Sequence, residues 1–94
     1  MMCQKSIEKA VKMACMNPYW KEYYENAPSK MSKRYVELGF YYSVHLGEIP
    51  DYDAYKKERQ ALESKFSKVD WQYLLRYAGH TPRKAFYKKM ESEM

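Results

Sequence analysis

The side chains in this sequence that could do chemistry are few and scattered. Cys3 and Cys15 are the only thiols, and His45 and His80 the only imidazoles. On one straight helix the two cysteines would stand about 18 Å apart at 1.5 Å rise per residue, beyond disulfide reach. They lack CxxC spacing and read as free thiols of a reducing cytoplasm. Taken with the two histidines, they match no zinc-binding spacing. Neither histidine has a serine or cysteine nucleophile at readable spacing. The six acids between residues 48 and 70 alternate with bases, which suits a solvated helix face better than a carboxylate pair for proton transfer. No glycine-rich phosphate loop is present. The chain therefore reads as a non-enzyme, with no catalytic residue, cofactor or metal assigned.

What remains is charge and aromatic surface. The net charge is +5, from 17 Lys and Arg against 12 Asp and Glu. Residues 1–47 carry +3, residues 48–70 carry −1 and residues 91–94 carry −2, while residues 71–90 hold Arg76, Arg83, Lys84, Lys88 and Lys89 and no acid. One terminal segment thus carries a charge equal to that of the whole chain, which favours a polyanionic partner. Eleven tyrosines lift the aromatic content to 17%. Tyrosine combines a large contact area with a polar tip and suits half-buried faces.

The charged segment is short helix, glycine turn, short helix, the outline of a helix-turn-helix. Its run Gly79-His80-Thr81-Pro82-Arg83-Lys84-Ala85-Phe86-Tyr87-Lys88-Lys89-Met90 resembles the second recognition unit of AraC-type regulators. That unit has a turn glycine, a small hydroxylated residue two positions on, and aromatic or apolar residues seven and eleven positions after the glycine. Thr81, Phe86 and Met90 stand at these places. His80 departs from the apolar or aromatic residue usual after the glycine, and no second unit lies upstream. The resemblance implies that Thr81 caps a recognition helix whose N-terminus faces a phosphate. It implies that Arg83, Lys84, Tyr87 and Lys88 meet the groove or its walls, and that Arg76 reaches a backbone phosphate from the preceding helix. Arg83 is the one side chain of the last helix suited to bidentate guanine readout, so useful affinity calls for a homodimer or larger assembly. The expected partner is nucleic acid, DNA before RNA, or a nucleoprotein. The alternative is a protein-binding module, an inhibitor or adaptor, using Tyr19, Trp20, Tyr23, Tyr24 and Tyr41 as a contiguous face.

The elements that must position these residues follow from periodicity. With 94 residues, 46% of them apolar, the chain is expected to form a single helical domain over 1–94. No run approaches the ~18 apolar residues of a membrane span, and the N-terminus lacks a secretory apolar stretch, so the expected location is the cytoplasm. Ile7, Ala10, Val11, Ala14 and Cys15 give a first amphipathic helix over 6–16. Asn17 and Pro18 cap and open a second, with Trp20, Tyr23, Tyr24 and Ala27 on one side. Residues 30–46 fit a helix with Met31, Tyr35, Leu38, Tyr42 and Leu46 inward, flanked by Val36, Phe40 and Val44. They also fit a strand, which would need a partner chain, as in ribbon-helix-helix dimers. Gly39 suggests close packing or a bend, and Gly47 a left-handed helix end. A helix from Pro50 or Asp51 to about Ser67 would bury Tyr55, Leu62, Phe66 and Val69, with Ala54 and Ala61 beside them. Its outer face would hold Asp53, Lys56, Lys57, Glu58, Arg59, Glu63 and Lys65. Asp70 would cap the next helix, with Trp71, Leu74, Leu75 and Ala78 as its stripe, and a last helix would run from Pro82 to about Met90. The expectation is an all-α bundle of five or six helices ending in a helix-turn-helix-like pair.

Overall fold

The computed structural model describes residues 3–77, and among them the fold is all-α. Five helices follow one another: α1 (Gln4–Ala14), α2 (Pro18–Glu25), α3 (Lys30–Val44), α4 (Tyr52–Lys65) and α5 (Lys68–Tyr77). Residues 36–46 do not take the strand alternative: α3 is a continuous helix through Val44. It is the central element, packing against α1, α2 and α4. None of the described helices is long and apolar enough to cross a membrane.

The breaks between helices have local causes. The Asn17 side chain accepts from the Tyr19 and Trp20 amides, and Pro18 occupies the first turn of α2, where its missing N–H is not needed. The end of α3 is a Schellman motif: the Gly47 N–H donates to the Tyr42 carbonyl at 2.9 Å and the Leu46 N–H to the Ser43 carbonyl at 3.0 Å. The residue in the left-handed cap position is Leu46, at φ 54°, and Gly47 follows at φ 81°. Leu46 was expected to face inward and is instead 89% exposed, because the chain has left the helix before reaching it. The Tyr42 ring lies against Gly47, so a Cβ there would stand 3.0 Å from the Tyr42 hydroxyl.

Helix α4 ends at Lys65, earlier than expected, and Phe66 is extended at φ −65°, ψ 137°. That break resets the helical register. Val69, expected inside, is 59% exposed, and Leu75 is 41% exposed, while Tyr73 and Tyr77 take the buried places beside Trp71 and Leu74. Asp51 precedes α4 without capping it through its side chain; its carboxylate accepts from the Tyr41 hydroxyl instead. The ion pairs among the described residues join Arg34 to Glu37 and Glu58. Gly39 is not closely packed: nothing lies within 4 Å of where its Cβ would be.

Two buried clusters lie against α3. One gathers Tyr35, Val36, Phe40, Phe66, Trp71, Tyr73, Leu74 and Tyr77; the other gathers Ile7, Ala10, Leu38, Tyr41, Ile49 and Tyr55. A polar tie fixes the start of α3 against the start of α5. Ser29 and Ser32 form a capping box on α3. Ser67 and Asp70 form another on α5, with the Asp70 carboxylate accepting from the Ser67 amide and hydroxyl at 3.0 Å each and the Asp70 amide donating back to the Ser67 hydroxyl. Asp70 is therefore the third residue of its helix rather than the cap. Its other oxygen accepts from the Ser29 hydroxyl at 2.6 Å, so one carboxylate closes both boxes. Asp70 is 2% exposed. Burial alone would raise its pKa, but the hydrogen bonds from Ser29 and Ser67 outweigh it and hold the group below its ordinary value.

Two expected outcomes follow from these caps. Asp70→Asn lowers stability by about 2 kcal/mol at neutral pH. Because the folded pKa is depressed, Asp70 contributes stability that is present above its unfolded value near ~4 and is lost as pH falls through the lower folded value. Urea midpoints measured down through that window should fall for the parent and show less of this fall for Asp70→Asn. Leu46→Gly relieves a left-handed leucine and raises stability by about 1 kcal/mol, read from the same titration at pH 7.

Candidate functional site

The face expected to meet nucleic acid begins on α5. The one acid of this helix, Asp70, is turned inward and engaged by serines. Its outward positions are Lys68, Val69, Gln72, Leu75 and Arg76, all exposed, and none is acidic. Arg76 borders a cavity of about 240 Å³ between α5 and the turn after α2, together with Asn26, Pro28 and Gln72. Of the residues assigned to this face from sequence, Arg76 is described and exposed; Thr81, Arg83, Lys84, Tyr87 and Lys88 lie outside the described residues.

The aromatic residues assigned to a protein-binding face do not share one surface. Tyr19 is 41% exposed, whereas Trp20, Tyr23 and Tyr24 are half-buried. Trp20 sets its edge on Phe40, with ring centroids 5.6 Å apart, and Tyr23 stacks on Tyr73 at 5.4 Å. The Tyr24 hydroxyl donates to Glu37 at 2.8 Å; burial and that hydrogen bond push its pKa up to about 12. Tyr41 is 3% exposed and belongs to the other cluster, donating to Asp51 at 2.9 Å. A contiguous patch including Tyr41 is therefore not formed. The α2 aromatics are mostly the wall of the first cluster.

The charged site that sequence reasoning missed is Arg59. It was placed on the outer face of α4 and is 5% exposed. Its guanidinium lies over the Tyr35 ring, 4.4 Å from the centroid, and 5.3 Å from that of Tyr55. One terminal nitrogen donates to the Tyr55 hydroxyl at 2.5 Å and the other to the Tyr35 hydroxyl. The Tyr35 hydroxyl in turn donates to Glu63 at 2.9 Å. Tyr35 belongs to one buried cluster and Tyr55 to the other, so Arg59 is the bridge between them. Burial holds both phenols above their ordinary pKa, Arg59 opposing the shift. A signal for this burial was present: Tyr55, Arg59, Leu62 and Phe66 recur at the spacing of one helix face. The type of residue, not its position, led the reading outward.

No family model, curated protein or solved structure matches this chain.

The Arg59 network makes a stability prediction. Tyr35→Phe keeps the ring but leaves a buried guanidinium N–H without its acceptor. The expected cost is about 1–3 kcal/mol, measured by urea unfolding. Tyr19→Phe, on an exposed ring, should change stability by no more than about 0.5 kcal/mol.

Proposed function

We propose that this protein contacts nucleic acid, duplex DNA in the first instance, through α5 and the cationic segment that follows it. The observation that carries the reading is the acid-free outer face of α5. With Asp70 withdrawn into the capping network, that face offers Lys68, Gln72 and Arg76 to solvent and nothing that would repel a phosphate. The sequence continues the same charge through Arg83, Lys84, Lys88 and Lys89 without an intervening acid. Such a surface binds mainly by neutralising phosphates and releasing counterions. Specific readout, if the AraC-type resemblance holds for residues 79–90, falls to Arg83 and its neighbours, with Thr81 capping the helix that carries them. The role that suits this chemistry is a small regulatory or accessory factor acting on DNA or on a nucleoprotein, with a second copy or a partner supplying further contacts.

The test is fluorescence anisotropy with a labelled DNA duplex, started at about 50 mM salt and repeated at rising salt. The expected result is binding whose log affinity falls linearly with log salt. Arg76→Ala, Arg83→Ala and Lys84→Ala should each weaken binding and reduce the slope by about 1. Lys57→Ala, on α4, should leave both unchanged. Absence of binding by the parent protein at the lowest salt would end the proposal.

A further inference from the structure

The open cavity of about 240 Å³ beside α5 brings three chemistries together in its lining. The first is apolar. Tyr73 and Tyr77 line it as buried residues, and Val69 and Pro28 line it as exposed ones. These walls are held by bonds the protein makes for itself. The Tyr73 hydroxyl donates to the Tyr23 carbonyl. The Asn26 Nδ2 donates to the Tyr77 hydroxyl at 3.4 Å and to the Glu22 carbonyl at 2.8 Å. The hollow is therefore formed before any ligand arrives, which lowers the cost of binding one. The second chemistry is amide. Of the five Asn and Gln in the sequence, Asn26 and Gln72 both line this cavity, and both are exposed. An amide side chain offers a donor and an acceptor at once. The third is cationic: Arg76 lines the cavity and is exposed, on a helix whose outward positions hold no acid.

We infer that this cavity receives one unpaired nucleobase of a bound DNA strand. This role rests on the proposed contact of α5 with nucleic acid and specifies what that contact reads besides phosphate. A nucleobase is flat, apolar on its faces and lined with donors and acceptors along its edge, and it is joined to an anion. An apolar wall, two amides and a guanidinium complement those features in turn. Size permits it: about 150 Å³ suffices for benzene, so this hollow has room for a two-ring purine. A paired base cannot enter, because its neighbours cover its faces and its partner covers its edge; it must be unpaired already or be extruded at a cost. A free nucleotide shares the chemistry of the base. It lacks the flanking phosphates that Lys68 and the cations after α5 would neutralise, so a strand suits the surface better.

The test compares three labelled duplexes of one sequence by fluorescence anisotropy at about 50 mM salt. One is fully paired, one carries a single bulged adenosine, and one carries a bulged abasic nucleotide in the same place. The two bulged forms have the same number of phosphates and the same interruption of the helix, so the base alone separates them. Adenine is chosen because a glutamine can meet its donor and its acceptor together. The adenosine bulge should bind at least about five-fold more tightly than either of the others, the lower end of what one base seated on aromatic side chains contributes. Free deoxyadenosine monophosphate should bind more weakly than the bulged duplex. Gln72→Leu keeps the bulk but loses both polar groups. In a protein shown by circular dichroism to be folded, it should lower the preference for the adenosine over the abasic bulge at least about two-fold. That preference is a ratio within one protein, so a general loss of DNA affinity leaves it unmoved. Equal affinity for the two bulges overturns the base pocket and leaves the α5 contact standing. So does an unchanged preference in folded Gln72→Leu, and tighter binding of the free nucleotide overturns the strand as occupant. Absence of binding to all three duplexes removes the α5 contact and the pocket with it.

Discussion

A core built from tyrosine must satisfy its hydroxyls, and that requirement organises much of this structure. Tyr35, Tyr41, Tyr55, Tyr73 and Tyr77 are all buried, and a phenol O–H removed from water without a partner costs about 1–3 kcal/mol. The partners come from different elements. Tyr41 on α3 donates to Asp51 before α4, Tyr24 on α2 to Glu37 on α3, and Tyr35 on α3 to Glu63 on α4. Tyr73 on α5 donates to the Tyr23 carbonyl on α2. Each hydroxyl thus fixes the distance between two helices as well as filling space between them. Leucines at these positions would pack but would not choose the partner.

Arg59 belongs to the same logic with the roles reversed. Tyr35 and Tyr55 stand in different clusters, and a single donor with a planar fork can serve both hydroxyls while its face lies on their rings. Lysine, with a compact ammonium, would not reproduce that geometry. The remaining cation of this region, Arg34, does the complementary work at the surface. Its guanidinium meets Glu58 on α4 and the Gln4 side chain on α1, so three helices converge on one partly exposed side chain. Salt weakens an exposed pair of this kind, whereas the Arg59 network is shielded.

Helix existence was legible in the sequence, and helix termini less so, for identifiable reasons. The Asn17-Pro18 start of α2 and the helical state of residues 30–44 could be read from capping chemistry and from the lack of any strand partner. The ends of α3 and α4 could not. Glycine at position 47 suggested a left-handed cap there, but the Schellman hydrogen bonds put Leu46 in that conformation one residue earlier. Past Lys65 the extended Phe66 broke a register that had looked continuous to Val69. Arg59 was assigned outward because it is charged, before its helical position was weighed, and Asp70 was read as the cap of a helix of which it is the third residue. Each also has a partner far away in sequence, Tyr35 at 24 positions from Arg59 and Ser29 at 41 from Asp70, which no local pattern reveals. The tyrosines of α2 were read in the right place, but the depth of their burial depends on α5 closing over them.

Asp70 and Arg59 are two buried charges with different degrees of satisfaction. The Asp70 carboxylate accepts three hydrogen bonds, from the Ser29 hydroxyl and from the Ser67 amide and hydroxyl, and the Asp70 amide donates to the Ser67 hydroxyl. Nothing about it calls for another component, and withdrawing it leaves the outer face of α5 free of negative charge. Arg59 is as deeply buried, yet its Nε–H is without an acceptor and a cavity lies beside it. Each charge is held in part by a side chain from another element, Ser29 for Asp70 and Tyr35 for Arg59, so both tie the packing of the helices together.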